Sequence, residues 1–181
     1  MKTLLIMLVA LIGLSINASA QIYHTASGKI SFFSKTPVED IDAKSNSTVV
    51  LLNTKNNEMV FKVQNTSFNF PNKLMEEHFN EKYMESEKYI NSIFSGKINE
   101  TIEYTKDGSY EVTVTGKLNI HGVEQIRTIN GKVVVKDQTI QLISDFKVIV
   151  ADHKIDIPKL VTAKIAEVID VHVDTTLIPR K

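Results

Sequence analysis

SYEVTVTGKLNIHG, residues 109–122, alternates apolar and polar side chains over most of its length. Successive side chains of a strand point to opposite faces of a sheet, so this period of two predicts a half-buried β-strand. The stretch therefore indicates a sheet with a core on one side and solvent on the other. The apolar face comprises Tyr110, Val112, Val114, Leu118 and Ile120, and the polar face comprises Glu111, Thr113, Thr115, Lys117 and Asn119.

The alternation continues on both sides of this strand and predicts an all-β fold. Asp107-Gly108 and Asn130-Gly131 are favoured two-residue hairpin turns, and Asp137-Gln138 is a third turn sequence. We therefore expect neighbouring strands to be antiparallel. The predicted strands are about 28–33, 47–54, 58–65, 94–104, 109–120 and 123–129, followed by strand pattern through 132–150 and a last strand within 166–177.

Roughly eight strands joined by local hairpins favour an extended antiparallel barrel over a sandwich, because closure leaves no exposed sheet edge. An eight-stranded barrel is just wide enough to be filled by its own side chains or to hold one slender ligand. The predicted architecture therefore already poses the functional question of whether the lumen is open.

The amino terminus, MKTLLIMLVALIGLSINASA (residues 1–20), combines a lysine, a short apolar run and the small residues Ala18-Ser19-Ala20. This pattern predicts a cleaved secretory signal peptide and a mature chain that begins at Gln21. We expect residues 21–181 to form one soluble domain, periplasmic or secreted, without stable membrane insertion.

Charge and cysteine content narrow the class of protein further. The chain has 21 basic and 21 acidic residues, and loss of the leader removes one lysine, so 20 against 21 leaves a formal charge of −1. Such a balance predicts no nucleic-acid partner. The chain contains no cysteine, so the core must stabilise an exported domain without disulfides.

One segment departs from the β pattern and predicts a long amphipathic helix over residues 72–89. Asn72 is a suitable N-cap, and Met75, Phe79, Tyr83 and Ile90 recur at helical spacing. The helix either caps the barrel as ordinary core or forms an apolar lid at the mouth beside Phe68 and Phe70. A second, short helix is expected from Pro158 through residues 159–168.

Catalytic and metal-binding motifs are not found in the sequence, which predicts a protein that is not an enzyme. The chain has no cysteine nucleophile, no G-x-S-x-G, no H-E-x-x-H and no G-x-G-x-x-G. Asp170, His172 and Asp174 share one face of the last strand, but residues two apart on a strand are ~6.6 Å apart, too widely spaced for easy chelation. We expect these three side chains to lie on a solvated outer face.

Four segments, in this order along the chain, carry a family resemblance: GKISFFS (28–34), FPNKLMEEHFNEKYMESEKYINSIFSG (70–96), YEVTVTGKLNIHGV (110–123) and SDFKVIVADHKIDIP (144–158). Together they resemble the YceI-like family of exported, lipocalin-like proteins. The resemblance implies a lipocalin-like barrel whose apolar lumen binds a long isoprenoid chain, with the polar head near the mouth. The chain departs from the family at Ile90, where a proline commonly follows the helix tyrosine.

The resemblance and the strand faces together predict a lipid-binding protein for transport, storage or stress protection. No cofactor is expected beyond a bound isoprenoid or quinone-like amphiphile, and a homodimer is left open. The alternative is a structural or protein-interaction barrel whose lumen is filled by large side chains. Gly116 and Ser144 on apolar faces favour an open lumen, although a glycine equally marks a bulge where the sheet bends. The predicted ligand-binding residues are Phe61, Val63, Phe68, Phe70, Met75, Phe79, Tyr83, Tyr110, Val112, Val114, Phe146 and Val148.

Overall fold

The computed structural model describes residues 21–157 and 165–180. Eight antiparallel strands form one closed barrel, in which each strand pairs with its neighbours in sequence and β1 pairs with β8. The predicted all-β barrel is therefore confirmed. The strands are β1 Ile22–Lys35, β2 Asp40–Asn53, β3 Glu58–Gln64, β4 Asn91–Ile98, β5 Gly108–Ile120, β6 Val123–Lys136, β7 Thr139–Ile149 and β8 Val168–Pro179.

The two ends of the barrel differ, because alternate connections lie at the same end of an up-and-down barrel. The β1–β2, β3–β4, β5–β6 and β7–β8 connections lie at one end, which we call the mouth. At the opposite, closed end the β4–β5 loop carries Ile102 into the core, and Tyr104 packs against the same cluster. Tyr104 Oη also donates a hydrogen bond to Asn57 Oδ1 (3.0 Å) in the β2–β3 turn.

This loop corrects the predicted strand 94–104 and the predicted two-residue turn at Asp107-Gly108. β4 ends at Ile98, and residues 99–107 form the connection. Burial of Ile102 against the closed end replaces strand pairing for this segment, because the apolar side chain is covered by the core rather than by a neighbouring strand.

Two tight turns connect the central strands. His121 (φ 52°) and Gly122 (φ 73°) join β5 to β6, and Asp137 (φ 49°) and Gln138 (φ 61°) join β6 to β7. The second turn confirms the sequence prediction. Both have positive φ at the two central residues, the backbone twist that suits two-residue hairpins.

The predicted turn at Asn130-Gly131 is wrong. Both residues lie inside β6, where Asn130 pairs with Thr113 and Gly131 with Val112 of β5. The β5–β6 ladder runs without interruption from Gly108↔Val135 to Ile120↔Val123. A continuous cross-strand ladder therefore overrides the local turn preference.

The ladder between β6 and β7 is incomplete, and side chains replace it toward the mouth. Backbone pairing covers only Lys132–Lys136 against Thr139–Ile143. Nearer the mouth, side chains of β6 donate hydrogen bonds to backbone carbonyl oxygens of β7 and the 3₁₀ turn after it, and side chains of that segment donate to carbonyl oxygens of β6. The four hydrogen bonds run from Ser144 Oγ to Asn130 O (2.6 Å), Arg127 Nη2 to Lys147 O (2.8 Å), Gln125 Nε2 to Asp152 O (2.8 Å) and His153 Nδ1 to Val123 O (3.1 Å).

The predicted long helix over 72–89 is wrong in length. α1 spans Lys73–His78 and continues as a π-helical turn over Phe79–Tyr83. Asn72 is the N-cap as predicted, because its Oδ1 accepts a hydrogen bond from Leu74 N (2.9 Å). Residues 84–90 are not helical.

The helix ends where side chains on both sides of Glu85 are buried. Met84 and Ser86 are 6% and 4% exposed, whereas Glu85 between them has a left-handed φ of 43°. Ser86 N and Oγ donate to Asn80 O (2.8 Å) and Asn80 Oδ1 (2.7 Å). Asn80 therefore provides both hydrogen-bond acceptors for Ser86, just after the helix. These local hydrogen bonds, together with the burial of Met84, take the place of further helical hydrogen bonds.

The remaining secondary-structure predictions concern the ends of the chain. β1 and β2 extend beyond the predicted 28–33 and 47–54, because they pair from Ile22↔Asn53 to Lys35↔Asp40. The predicted second helix falls mostly on residues 158–164, outside the described residues, and residues 165–167 are not helical.

Candidate functional site: an apolar barrel cavity

The barrel encloses a cavity of about 470 Å³. All eight strands contribute side chains, because the alternation of each strand points one apolar row inward. The cavity runs from Met59 and Ile98, near the closed end, to the helix at the mouth. Its lining includes Ile30 and Phe32 of β1, Thr48 of β2, Met59 of β3, Phe94 of β4, Leu118 of β5, Val133 of β6, Leu142 of β7 and Val171 of β8.

Eleven of the twelve predicted site residues line this cavity. Tyr110 is the exception: it packs against the core cluster, and its hydroxyl donates to Glu103 O (3.4 Å) at the closed end. The eleven are Phe61, Val63, Phe68, Phe70, Met75, Phe79, Tyr83, Val112, Val114, Phe146 and Val148. The structure shows that these eleven residues lie on the cavity wall, and their role in binding a ligand stays a prediction.

Four phenylalanine rings form a cluster at the mouth. Phe32 of β1 packs against Phe68, Phe70 and Phe79, with ring centroids 5.1–5.8 Å apart. Such offset and edge-on contacts between rings are favourable beyond the area they bury. The cluster therefore packs the helix, through Phe79, against the barrel wall beside the opening.

The helix presents the predicted stripe to the cavity. Met75, Phe79 and Tyr83 all line it, at steps of four residues. Leu74 lines it too but is 56% exposed, which marks the rim of the mouth. Burial raises the pKa of the Tyr83 phenol, so this hydroxyl is neutral at the cavity wall. Ile90, assigned to the stripe from its spacing, lies outside the helix and is 53% exposed.

Two polar residues, Asn65 and His121, hold the segment that follows the helix. Asn65, fully buried, donates from Nδ2 to Tyr89 O (2.6 Å), accepts from Ser92 Oγ (2.8 Å) and donates from its backbone N to Ile90 O (2.9 Å). His121 Nε2 lies 2.7 Å from Glu85 Oε2. The segment is thus tied to β3 on one side and to the β5–β6 turn on the other.

The position of Gly116 on an apolar face favoured an open lumen, but the structure shows that this glycine does not open it. A Cβ there would lie 2.4 Å from Gly96 Cα and from Ser95 O, so the glycine permits close approach of β4 and β5. Ser144 does line the cavity. The open volume comes from the curvature of the whole barrel rather than from one small residue.

Sequence reasoning missed several lining residues, and Phe32 is the most informative. Ile30 and Phe32 are two apart in GKISFFS, which is the period of a strand. The sequence alone does not show which of the two faces of β1 points inward, because the adjacent Phe33 would place a phenylalanine in the core if the strand were turned over. Pairing of Phe32 with Ala43 of β2 and Val171 of β8 decides which ring points inward.

The outer face of β8 has the polar character expected of it. Asp170 pairs with Lys147, His172 Nδ1 lies 2.7 Å from Asp145 Oδ1, and Asp174 accepts from Gln141 Nε2 (2.7 Å). Within residues 21–157 and 165–180, no group of three or more potential metal ligands converges. No helix in these ranges is long and apolar enough to cross a membrane.

The fold and the cavity define the class: a single antiparallel barrel with an apolar lumen large enough for a ligand and an opening beside a short helix. A family model of the YceI-like domain matches residues 14–177, so the chain belongs to the YceI-like family. A comparison with curated protein sequences finds no significant match.

Solved structures share this fold at low sequence identity. A polyisoprenoid binding domain from Saccharophagus degradans, implicated in plant cell wall breakdown, superposes with a TM-score of 0.75 at 13% identity, covering 89% of this chain and 99% of that one. BcnA of Burkholderia cenocepacia gives 0.69 at 16% identity, covering 83% and 96%. The Campylobacter jejuni YCEI protein gives 0.58 at 16% identity, covering 75% and 81%.

Proposed function

We propose that this chain is an exported lipid-binding protein that holds a long-chain isoprenoid or similar amphiphile in its barrel cavity, for transport, storage or stress protection. The observation that carries the proposal is the open apolar lumen of about 470 Å³. That volume lies within the range of ~300–1,000 Å³ that small-molecule sites occupy.

The physical chemistry of the lumen favours a long apolar chain over a compact polar ligand. Each methylene transferred from water to an apolar environment contributes ~0.8 kcal/mol. A narrow cavity lined by strand side chains surrounds a slender chain on all sides, which maximises this transfer. The polyisoprenoid-binding domain of Saccharophagus degradans, with the same fold, supports the choice of an isoprenoid.

The alternative is a structural or protein-interaction barrel with no ligand. It requires inward side chains to fill the lumen, as an eight-stranded barrel allows. The cavity argues against it, because large inward residues such as Phe94 and Phe146 still leave the space open.

Native mass spectrometry of the protein, expressed with its leader and purified from an exported preparation without detergent, tests the proposal. We expect a stoichiometric long-chain lipid that organic extraction releases. The mass of the apo chain also tests removal of residues 1–20, because cleavage before Gln21 predicts a defined loss. An apo mass together with no uptake from polyprenyl-containing vesicles would contradict the binding proposal.

A further inference from the structure

The barrel wall lacks backbone pairing along one line. The β6–β7 ladder ends at Lys132↔Ile143, although both strands continue toward the mouth. The ladders on either side, β5–β6 and β7–β8, run on to the mouth ends of these strands. We call the part without a ladder, in which residues 123–131 of β6 face residues 144–149 of β7, the β6–β7 seam.

Side chains hold the seam closed with fewer hydrogen bonds than a ladder would provide. Over the six residues 144–149, a regular antiparallel ladder would make about six backbone hydrogen bonds. Four side-chain bonds take their place, among them those from Arg127 Nη2 to Lys147 O and from Gln125 Nε2 to Asp152 O. Each requires a long or rotatable side chain to be ordered, which costs conformational entropy. The seam should therefore open locally at a lower free energy than the rest of the wall.

The seam is a single layer between the lumen and solvent. On its inner side, Ile129 and Gly131 of β6 and Phe146 and Val148 of β7 line the cavity. On its outer side the side chains of both strands are exposed, Ile126 to 76%. Separation of the two strands would therefore open the lumen sideways, without displacement of any further layer of core.

The mouth is a narrower route for a long ligand. The helix stands there, with the ring of Phe79 stacked on that of Phe32 (5.4 Å between centroids) and with Met75 and Tyr83 on the cavity wall. A long chain would have to enter end first, past these side chains. The seam, in contrast, extends over six residues of β7, which at ~3.3 Å per residue is ~20 Å. It reaches the mouth, so an opened seam would admit a chain from the side.

We propose that the β6–β7 seam is a lateral gate, through which the ligand enters and leaves the lumen when the two strands separate. The inference rests on the proposed lipid-binding function and adds a route to it. A slender, flexible chain suits this route, because a wide, rigid ligand would require part of the paired ladder to separate as well. Gln125 and Arg127 close the gate without lining the cavity. They therefore control the rates of exchange and not the affinity of the closed lumen.

Variants that remove one hydrogen bond each test the gate. Arg127→Met keeps the aliphatic part of the side chain and removes the bond to Lys147 O, and Gln125→Met removes the bond to Asp152 O. The matched control is Gln141→Met. It removes a side-chain bond between β7 and β8, from Gln141 Nε2 to Asp174 Oδ1 (2.7 Å), where the backbone ladder is continuous.

The probe is geranylgeraniol, an uncharged isoprenoid alcohol, so loss of the Arg127 charge does not alter its approach. Its dissociation constant is measured at equilibrium by displacement of the fluorescent apolar dye N-phenylnaphthylamine from the full-length mature chain. Stopped-flow mixing of the complex with excess dye gives the dissociation rate, and the ratio of the two values gives the association rate. Thermal unfolding confirms that each variant is folded.

We expect Arg127→Met and Gln125→Met each to raise the association and dissociation rates by the same factor, roughly five- to tenfold, because one net hydrogen bond that opposes opening is lost. The dissociation constant should stay unchanged, because the closed lumen and its ligand contacts are the same. Gln141→Met should leave the rates and the dissociation constant as they are in the original chain.

The outcomes separate this inference from the function on which it rests. If geranylgeraniol does not bind the original chain, the lipid-binding proposal itself fails. If it binds, and folded Arg127→Met and Gln125→Met exchange it at the original rates, the ligand does not pass through the seam and the gate is overturned. Faster dissociation with an equal loss of affinity would also overturn the gate, because it would assign these side chains to ligand contact.

Discussion

Replacement of Val114 by tryptophan would fill part of the proposed lipid site. Val114 is 8% exposed, lines the cavity and lies between Ile98 of β4 and Ile129 of β6. A cavity of ~150 Å³ holds one benzene molecule. The larger side chain would therefore remove on the order of a third of the 470 Å³ lumen.

The loss of volume converts into a loss of affinity. One benzene-sized volume corresponds to about one five-carbon isoprene unit of the ligand, and at ~0.8 kcal/mol per buried carbon its displacement costs about 4 kcal/mol. Because ~1.4 kcal/mol is a factor of ten, we expect the dissociation constant to rise roughly a thousandfold. The domain should still fold, since the indole grows into open space rather than into packed core.

The assay combines bound lipid measured by native mass spectrometry, dye displacement and thermal unfolding. The matched control is Glu111→Trp on the same strand, where the side chain is exposed and its ion pair with Lys132 lies at the surface. The control should retain its lipid. A folded Val114→Trp protein that binds lipid as tightly as the control would refute the placement of the ligand in this lumen.

Three further predictions concern stability. Asn65→Ala should destabilise the domain by roughly 2–3 kcal/mol in denaturant titration, because Tyr89 O and Ser92 Oγ lose their hydrogen-bond partner at a fully buried position. Asn99→Ala, which removes an exposed amide, should cost less. Equal losses would contradict the argument. Burial lowers the pKa of His153 below 6.5, so the folded state binds fewer protons than the unfolded state, and stability should fall as the pH drops below that value. Thermal unfolding of His153→Asn and of the original chain, measured at pH values above and below 6.5, should show that the variant loses this pH dependence. If stability changes with pH equally in both proteins, His153 is not the source of the dependence. Burial raises the pKa of Tyr104 to about 12, so the stabilising contribution of the neutral phenol should be complete below pH ~10 and disappear as the pH rises through 12. Tyr104→Phe should remove the last step of a phenolate absorbance titration. If that step persists in the variant, it belongs to another tyrosine.

Much of the cavity wall could be predicted from sequence because strand alternation is local. Val112 and Val114, two residues apart between polar neighbours, are inward because no other face would bury them. The same logic placed Phe146 and Val148 on the wall. Tyr110 belongs to this row yet lies below the cavity, because its depth depends on how the β4–β5 loop closes the end.

Local preference was a poorer guide where distant contacts compete. The helical stripe extends through Tyr83, but burial of Met84 and Ser86 ends the helix before Tyr89. Asn130-Gly131 is a good turn in isolation, yet pairing with β5 keeps it extended. The partner that keeps Asn130-Gly131 extended lies on another strand, and the helix ends where Met84 is buried at the cavity wall, so helix and turn preferences alone predict neither outcome.

The sequence by itself determined the all-β class, the inward faces of the central strands and the presence of a helix beginning after Asn72, since each follows from the periodicity or capping of neighbouring residues. Only the tertiary structure decided that the lumen is open and that Gly28 of β1 lies in close approach to Thr48 of β2 and Thr175 of β8. Both features depend on closure of β1 against β8, which joins the two ends of the domain. Lumen volume follows from the curvature that this closure imposes, and curvature is a property of all eight strands together.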